Sequence, residues 1–166
     1  MRMPRIYLAG AIRDGVAEDI EWRERFIDLV GPDADILNPL AGKQFDPETR
    51  LWTIHTKWSP GSKFIVRHDF FAIDSMDLGV FNFTALSEGY PMIGSLIEFG
   101  RATSRSALVY SIVPKGFEGH GNQGMFKLHP FLEDNSAMIF PTTDECAEFV
   151  KLHIPVLMGW EASYGK

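Results

Sequence analysis

The chain has 166 residues, the length of one ordinary domain, which excludes a second catalytic module. Hydrophobic residues make up 45% of the chain and charged residues 23%, a balance that excludes wholesale disorder and predicts a packed core. Acidic residues outnumber basic ones by 22 to 16, and this net charge of -6 argues against a nucleic-acid polymer as partner while leaving a small nucleotide open.

The first part of the chain predicts two strands, one helix and a long loop. Residues 5–10 form an apolar run that ends in glycine, typical of a strand buried on both faces. Residues 19–30 place apolar side chains at helical spacing opposite charged ones, which predicts an amphipathic helix. A short strand at 35–38 follows, and then an irregular segment at 39–60 that is long enough to suggest a functional loop. Its ring side chains could stack on a ligand or simply pack the loop: they are Trp52, His55 and Trp58.

The second part continues the alternation of helices and strands. In chain order, the pattern predicts a helix at 62–77, a strand at 78–83, a polar turn at 84–91, a helix at 94–105, a strand at 107–113, a glycine-rich loop at 114–124 and a strand at 137–140. A capping box at 142–145 then opens a last helix.

This alternation predicts one α/β domain over residues 1–166, of the flavodoxin or Rossmann-like class. We expect a parallel sheet of about five strands with right-handed crossovers and helices on both faces. Ligands of such sheets bind at the carboxyl ends of the strands, so the loops after Ala9, Asn38, Phe83 and Val113 are where a site is expected.

Glu98 is the first candidate for chemistry, because it follows Gly94 and Ser95 closely and so falls in the first turns of the predicted 94–105 helix. Free backbone N–H groups and the helix dipole there would favour the ionised carboxylate by roughly 0.3 to 1 kcal/mol. Glu98 is therefore either a charged nucleophile facing a ligand or an acid that only complements the dipole.

Asp69 is the second candidate, because it recurs at helical spacing with apolar residues. These are Ile65, Ala72 and Met76. Burial of a carboxylate without partners is costly, so Asp69 belongs to a hydrogen-bond network, meets a polar ligand or is solvated at the helix edge. Asp77 lies about 12 Å farther along the helix axis, too far for a close pair, and is expected near the helix end beside the next strand.

The turn after the first strand is a candidate anion contact. Residues 10–15 include Gly10, Ile12 and Arg13, whose backbone amides and guanidinium could hold an anion, although a surface salt bridge of Arg13 explains the pattern equally well. The turn matches neither the P-loop nor the dinucleotide fingerprint, which argues against triphosphates and dinucleotides.

Cysteine and histidine usage predicts neither disulfide nor metal. The single cysteine, Cys146, excludes an internal disulfide, and the five histidines lack metal-ligand spacing. The first apolar stretch is too short for a signal peptide or a membrane span. We therefore expect a soluble, unprocessed, cytoplasmic protein that uses no metal ion or other cofactor.

Four segments, in this order and spacing, resemble one known family. They are residues 6–10 (Ile-Tyr-Leu-Ala-Gly) with Arg13, residues 38–40 (Asn-Pro-Leu), His68-Asp69 with the helix end at 74–77, and residues 94–102 (Gly-Ser-Leu-Ile-Glu-Phe-Gly-Arg-Ala). Together they resemble the nucleoside 2-deoxyribosyltransferases and the related 2'-deoxynucleoside 5'-phosphate N-hydrolases, over residues 6–113 and again around Asn122.

The resemblance implies a role for each matching residue. Glu98 would be the nucleophile that attacks the anomeric carbon of deoxyribose, Tyr7 would orient that carboxylate, and Asp69 would contact the base or a sugar hydroxyl. The expected substrate-binding residues are Gly10, Ile12, Arg13, Asp77, Gly94, Ser95, Asn122 and Met125. The segment that contains Asn122 and Met125 resembles one donated by a neighbouring subunit, so a homo-oligomer with shared sites is implied, acting on a small nucleoside or nucleotide in nucleotide metabolism or salvage.

Two departures keep the reaction open. Residues 90–93 lack the acid with which the family transferases grip the base, whereas Arg13 and a serine, Ser87 or Ser95, match the nucleotide hydrolases. The leading expectation is transfer of the deoxyribosyl group between bases. The alternatives are hydrolysis of 2'-deoxynucleoside 5'-monophosphates, a TIR-like NAD glycohydrolase and a nucleotide-binding module without turnover.

Overall fold

The computed structural model describes residues 2–13, 16–41, 43–46, 51–54, 62–115, 130–157 and 159; of 43–46, 51–54, 62 and 130 it describes the backbone alone. The strands are β1 (Arg5–Gly10), β2 (Asp35–Leu37), β3 (Lys43–Asp46), β4 (Leu51–Ile54), β5 (Leu78–Asn82), β6 (Leu108–Ile112) and β7 (Met138–Phe140). The helices are α1 (Glu18–Val30), α2 (Ser62–Ser75), α3 (Thr84–Ser87), α4 (Ile93–Ser104), α5 (Pro130–Asn135) and α6 (Thr143–Leu157), with a 3-10 turn at Gly31–Asp33. Among the described helices, none is long and apolar enough to cross a membrane.

Five strands form one parallel sheet in the order β2-β1-β5-β6-β7. The expected α/β architecture with about five strands is thereby confirmed. Because β2 lies on one side of β1 and β5 on the other, the strand order reverses between β1 and β5, and this is the point where parallel sheets bind ligands.

Helices cover both faces of the sheet. Strand residues alternate between the faces, so Ile6 and Leu8 pack into the core with α1 and α6, whereas Tyr7 and Ala9 pack into the core with α2 and α4. The side chain of Tyr7 is therefore on the same face as the two helices that carry Asp69 and Glu98.

The structure corrects two parts of the sequence interpretation. The segment predicted as an irregular loop at 39–60 contains an antiparallel hairpin, in which Phe45 of β3 pairs with Trp52 of β4. Residues 84–87 and 130–135 form short helices that the pattern did not predict. The polar, glycine- and proline-containing residues around β3 obscure the hairpin, and helices of four to six residues are too short to establish a period.

The start of the last helix agrees with the prediction from sequence. The N–H of Glu145 donates to Oγ1 of Thr142 over 3.2 Å, as half of the expected capping box requires. The helix that begins there buries Cys146 and Val150, and burial raises the pKa of the Cys146 thiol to about 12. That thiol is accordingly protonated and unreactive at neutral pH.

Candidate active site

A cleft of about 220 Å³ lies at the carboxyl edge of the sheet, above β1. Six of the predicted site residues line it: Gly10, Ile12, Asp69, Gly94, Ser95 and Glu98. They come from the end of β1, from the middle of α2 and from the first two turns of α4. The topology therefore brings residues that are up to 88 positions apart to one place, beside the reversal of strand order.

Position 10 favours glycine because the backbone there lies close to the side chain of Trp22. A Cβ on Gly10 would lie 3.0 Å from the indole ring of Trp22, which is tighter than ordinary contact. The chain thus leaves β1 pressed against α1, and the backbone itself forms the floor of the cleft.

Glu98 enters the cleft from the second turn of α4, not the first. The helix begins at Ile93, one residue earlier than predicted, after Met92 has adopted a left-handed conformation with φ of 42°. The helix-dipole effect decays within one turn, so it acts on Glu98 less than the sequence suggested. The first-turn residues Gly94 and Ser95 line the cleft instead, which directs the free N–H groups of the helix start toward a ligand.

Tyr7 is fully buried beside this carboxylate. Burial, the negative charges of Glu98 and Asp69, and hydrogen bonding to Glu98 all raise the pKa of Tyr7, so its hydroxyl is a permanent proton donor. Among the described residues the hydroxyl does not complete a hydrogen bond of standard geometry. The charge of Glu98 nevertheless acts on the hydroxyl, so the two groups are neighbours in the structure, although Tyr7 itself does not line the cleft.

Asp69 is buried, with 8% of its surface exposed, which confirms its place in the inward stripe of α2. Its Oδ1 lies 3.4 Å from Nδ1 of His68, a half-exposed neighbour on the same helix. Of the three alternatives left open by the sequence, this burial excludes a solvated helix-edge position and leaves a hydrogen-bond network or a contact with a polar ligand.

Arg13 lies outside the cleft and is fully engaged by acids. Its Nε and Nη2 donate to the carboxylate of Asp19 over 2.9 and 2.8 Å, its backbone N–H donates to the same group, and its Nη1 pairs with Glu88. These two acids raise the pKa of Arg13. The guanidinium lines a neighbouring cavity of about 170 Å³ rather than the Glu98 cleft. Of the two possibilities left open, the structure shows the salt bridge.

Asp77 lies away from the cleft, which corrects its predicted place among the substrate-binding residues. It precedes β5 and accepts the backbone N–H of Arg5 over 2.8 Å and a bond from the Arg2 guanidinium. Both contacts lie at the amino edge of the sheet, opposite the cleft, because residues before a strand and residues after a parallel strand emerge at different edges. Asp77 therefore caps β1 and does not belong to the site.

Arg23 is a cleft residue that the sequence interpretation did not single out. It belongs to α1 and lines the cleft although only 1% of its surface is exposed. A signal was available, since Asp19, Arg23, Phe26 and Val30 follow the same helical spacing that singled out Asp69, and all four are buried.

Several predicted residues lie outside the described part of the chain. These are Asn122, Met125, His55 and Trp58, while Trp52 is described by its backbone in β4 alone. Within the described ranges, no group of three histidine, cysteine or acidic side chains is placed to hold a metal ion. The chemistry that the described cleft offers is that of two carboxylates, a buried hydroxyl and a buried guanidinium.

Comparison with known proteins identifies the fold. No family model matches the chain, and no curated protein matches its sequence. Among solved structures, a conserved protein from Enterococcus faecalis V583 superposes with a TM-score of 0.67 at 14% identity, over 92% of this chain and 99% of that one. A 2-deoxyribosyltransferase from Leishmania mexicana superposes with a TM-score of 0.64 at 15% identity, over 90% of this chain and 98% of that one. A CMP N-glycosidase from Clostridium botulinum gives 0.54 at 17% identity, again over 90% and 98%. The fold implied by the sequence resemblance is confirmed: over nearly its whole length, this chain is built like a 2-deoxyribosyltransferase and like a CMP N-glycosidase.

Proposed function

We propose that this protein is an enzyme that cleaves the N-glycosidic bond of 2'-deoxyribonucleosides and transfers the deoxyribosyl group to another base. The observation that carries the proposal is the convergence of Glu98, Asp69 and Tyr7 at the ligand-binding edge of a sheet whose fold is that of 2-deoxyribosyltransferases.

The reaction follows from the chemistry of a carboxylate beside an anomeric carbon. As the bond between C1' and the base nitrogen breaks, positive charge develops on the sugar, and the Glu98 carboxylate stabilises that charge before it forms an ester with C1'. The departing base carries away the bonding electron pair and takes up a proton from a second acid or from water. An incoming base nitrogen then attacks C1', the bond between C1' and the Glu98 oxygen breaks to restore the carboxylate, and the proton of that nitrogen returns to the second acid or to water.

Tyr7 and Asp69 would support this step in different ways. The Tyr7 hydroxyl is held protonated by its surroundings, so it can donate to one Glu98 oxygen and leave the other aimed at C1'. Asp69 lines the cleft and is the described acid placed to contact the base or a sugar hydroxyl. The buried setting strengthens both interactions because it excludes water.

Hydrolysis of 5'-monophosphates is the second candidate, favoured by the shared fold with a CMP N-glycosidase. Ser95 is buried and lines the cleft, as a phosphate contact would require, whereas the Ser87 hydroxyl donates to the carbonyl of Thr84. Against this candidate, the guanidinium of Arg13 is already neutralised by Asp19 and Glu88. A phosphate would have to displace Glu88, so we place the free nucleoside first.

The proposal includes an oligomer with shared sites in the cytoplasm. Large apolar side chains on α2 and α4 are exposed beside the cleft: Phe64 by 51%, Phe71 by 70%, Ile93 by 66% and Ile97 by 56%. A second copy of the chain would cover these side chains. Sedimentation should then give a mass above that of one chain, and a monomer at micromolar concentration would contradict this part of the proposal.

The test is a substrate panel with a matched pair of variants. The purified protein is incubated with each deoxynucleoside and each deoxynucleoside monophosphate, with and without an acceptor base, and free base and new nucleoside are followed by chromatography. Glu98→Gln should abolish product, whereas Glu24→Gln, at an exposed position of α1, should leave it unchanged. An acid quench during turnover should also show a protein mass increased by one deoxyribosyl group. Full activity in Glu98→Gln would refute the assigned nucleophile.

A further inference from the structure

Arg23 is the largest fully buried side chain in the described part of the chain. Its Nη2 donates to the carbonyl oxygen of Gly10 over 3.0 Å, and its Nη1 donates to the carbonyl oxygens of Ala11, over 3.3 Å, and of Asp19. Gly10 and Ala11 are also lining residues of the cleft. One guanidinium thus ties the floor of the cleft to α1.

These bonds leave the buried cation incompletely compensated. Within the described residues the Nε–H of Arg23 has no hydrogen-bond partner, and the carboxylate of Asp19 is occupied by Arg13. Burial of such a charge destabilises a fold, and an apolar side chain of the same volume is often tolerated equally well. Its presence beside the cleft points to a role in the site rather than in stability.

The charged and polar side chains around Glu98 indicate the role of Arg23 in the site. Glu98 meets Tyr7 from β1, Asp69 from α2 and Arg23 from α1, and of these Arg23 alone is cationic. Burial lowers the pKa of Arg23 to about 10, whereas Tyr7, Asp19 and Glu98 act in the opposite direction, so the guanidinium is charged at neutral pH. Arg23 is thus the positive charge in the described lining of a cleft that also holds the carboxylates of Glu98 and Asp69.

We propose that Arg23 is the positioning residue of this cleft: its buried positive charge keeps Glu98 ionised beside Asp69, and its hydrogen bonds fix the backbone on which the sugar lies. This inference rests on the proposed function, because it takes Glu98 as the nucleophile. Arg23 itself touches neither the sugar nor the base in this scheme.

The test separates the charge of Arg23 from its hydrogen bonds. Arg23→Gln retains amide donors for the carbonyl oxygens but removes the charge, whereas Arg23→Lys retains the charge. Arg25→Gln is the matched control, since Arg25 lies on the exposed face of the same helix and pairs with Asp144. The titration of the Glu98 carboxyl carbon is followed by carbon-13 NMR in full-length protein, with Glu98→Gln used to assign the signal, and kcat is measured over the same pH range.

In Arg23→Gln the titration midpoint of Glu98 and the acid limb of kcat should both move upward by about one pH unit. Arg23→Lys should retain the wild-type midpoint, as should Arg25→Gln. A midpoint in Arg23→Gln equal to that of the wild type would overturn the inference, as would equal displacement in Arg23→Lys and Arg23→Gln, since either result leaves only a structural role. Because the NMR titration needs no turnover, a protein that cleaves none of the substrates would refute the proposed function separately.

Discussion

Replacement of Tyr7 by phenylalanine tests the reaction scheme most directly, because it removes one buried oxygen and leaves the ring in place. The ring packs against Phe81 with centroids 6.5 Å apart, and this contact survives the substitution. The lost hydroxyl is fully buried and completes no standard hydrogen bond within the described residues. The substitution therefore removes the free-energy cost of burying this hydroxyl.

Stability and activity should respond in opposite directions. The free energy of unfolding should stay within about 1 kcal/mol of the wild-type value or rise, because an imperfectly paired buried hydroxyl contributes little. The value of kcat should fall by about 10²-fold, as it does when one preorganised donor to a reacting oxygen is removed. Urea denaturation gives the first quantity, and the rate of base release at saturating substrate gives the second.

Tyr110→Phe is the matched control for this experiment. Tyr110 is also buried and has its pKa raised by burial, but it packs against Phe140 and Phe149 on the opposite face of the sheet. Its substitution should leave kcat unchanged. A wild-type kcat in Tyr7→Phe, or a loss of activity that merely follows a loss of stability, would refute the role assigned to the Tyr7 hydroxyl.

The same variant carries a pH prediction. Folding raises the pKa of Tyr7 above its ordinary value of 10.0, so the stability due to its neutral form is complete below pH 10 and is lost as the pH rises further. The decline in unfolding free energy above pH 10 should be shallower in Tyr7→Phe than in the wild-type protein, and identical slopes would contradict the burial of the hydroxyl.

Three further predictions concern packing, capping and an ion pair. Phe26→Ala should lower the free energy of unfolding by about 3–5 kcal/mol, because Phe26 is fully buried beneath the sheet. Leu152→Ala, at a position that is 77% exposed, should change it by less than about 0.5 kcal/mol in the same urea titration, and equal effects would contradict the core. Thr142→Ala should cost about 1 kcal/mol by the same measurement, since it deletes the cap of the last helix. The pair with Arg101 lowers the pKa of Asp74, so its stabilising contribution is present above the ordinary carboxyl pKa and is lost as the pH falls. Asp74→Asn should accordingly flatten the acid side of the stability profile, and an unchanged profile would show that the pair does not form in solution.

The elements of the sheet could be predicted from sequence because parallel strands are buried on both faces. Residues 78–82 are all buried, and such a run stands out against the polar segments around it. The hairpin of β3 and β4 could not be predicted because polar, glycine- and proline-containing residues surround β3, and the short helix α5 could not because six residues establish no period.

The residues of the candidate site likewise include some that the sequence could identify and some that it could not. Asp69 could be identified from helical spacing alone, and Glu98 from its place after Gly94 and Ser95 together with the family resemblance. Arg23 had the same spacing as Asp69 but was not recognised, since arginine at a helix surface is ordinarily solvated. Asp77 was included only through the family resemblance, although its place directly before a predicted parallel strand already indicated the amino edge of the sheet.

By itself the sequence predicted the alternation of the five sheet strands with the longer helices, and it singled out Asp69 and Glu98 as candidates for chemistry. The tertiary structure alone decided which charges meet. Arg13 is neutralised by Glu88, 75 residues away in the chain, and Asp77 caps β1, 72 residues before it. The periodicity of helices and strands relates only residues that are a few positions apart. These distant partners are instead brought together because β1 and β5 lie side by side, at the point where the strand order reverses. The cleft beside that reversal is lined by Arg23, Asp69 and Glu98, with Tyr7 buried next to the acids, whereas Asp77 lies at the opposite edge because it precedes β5.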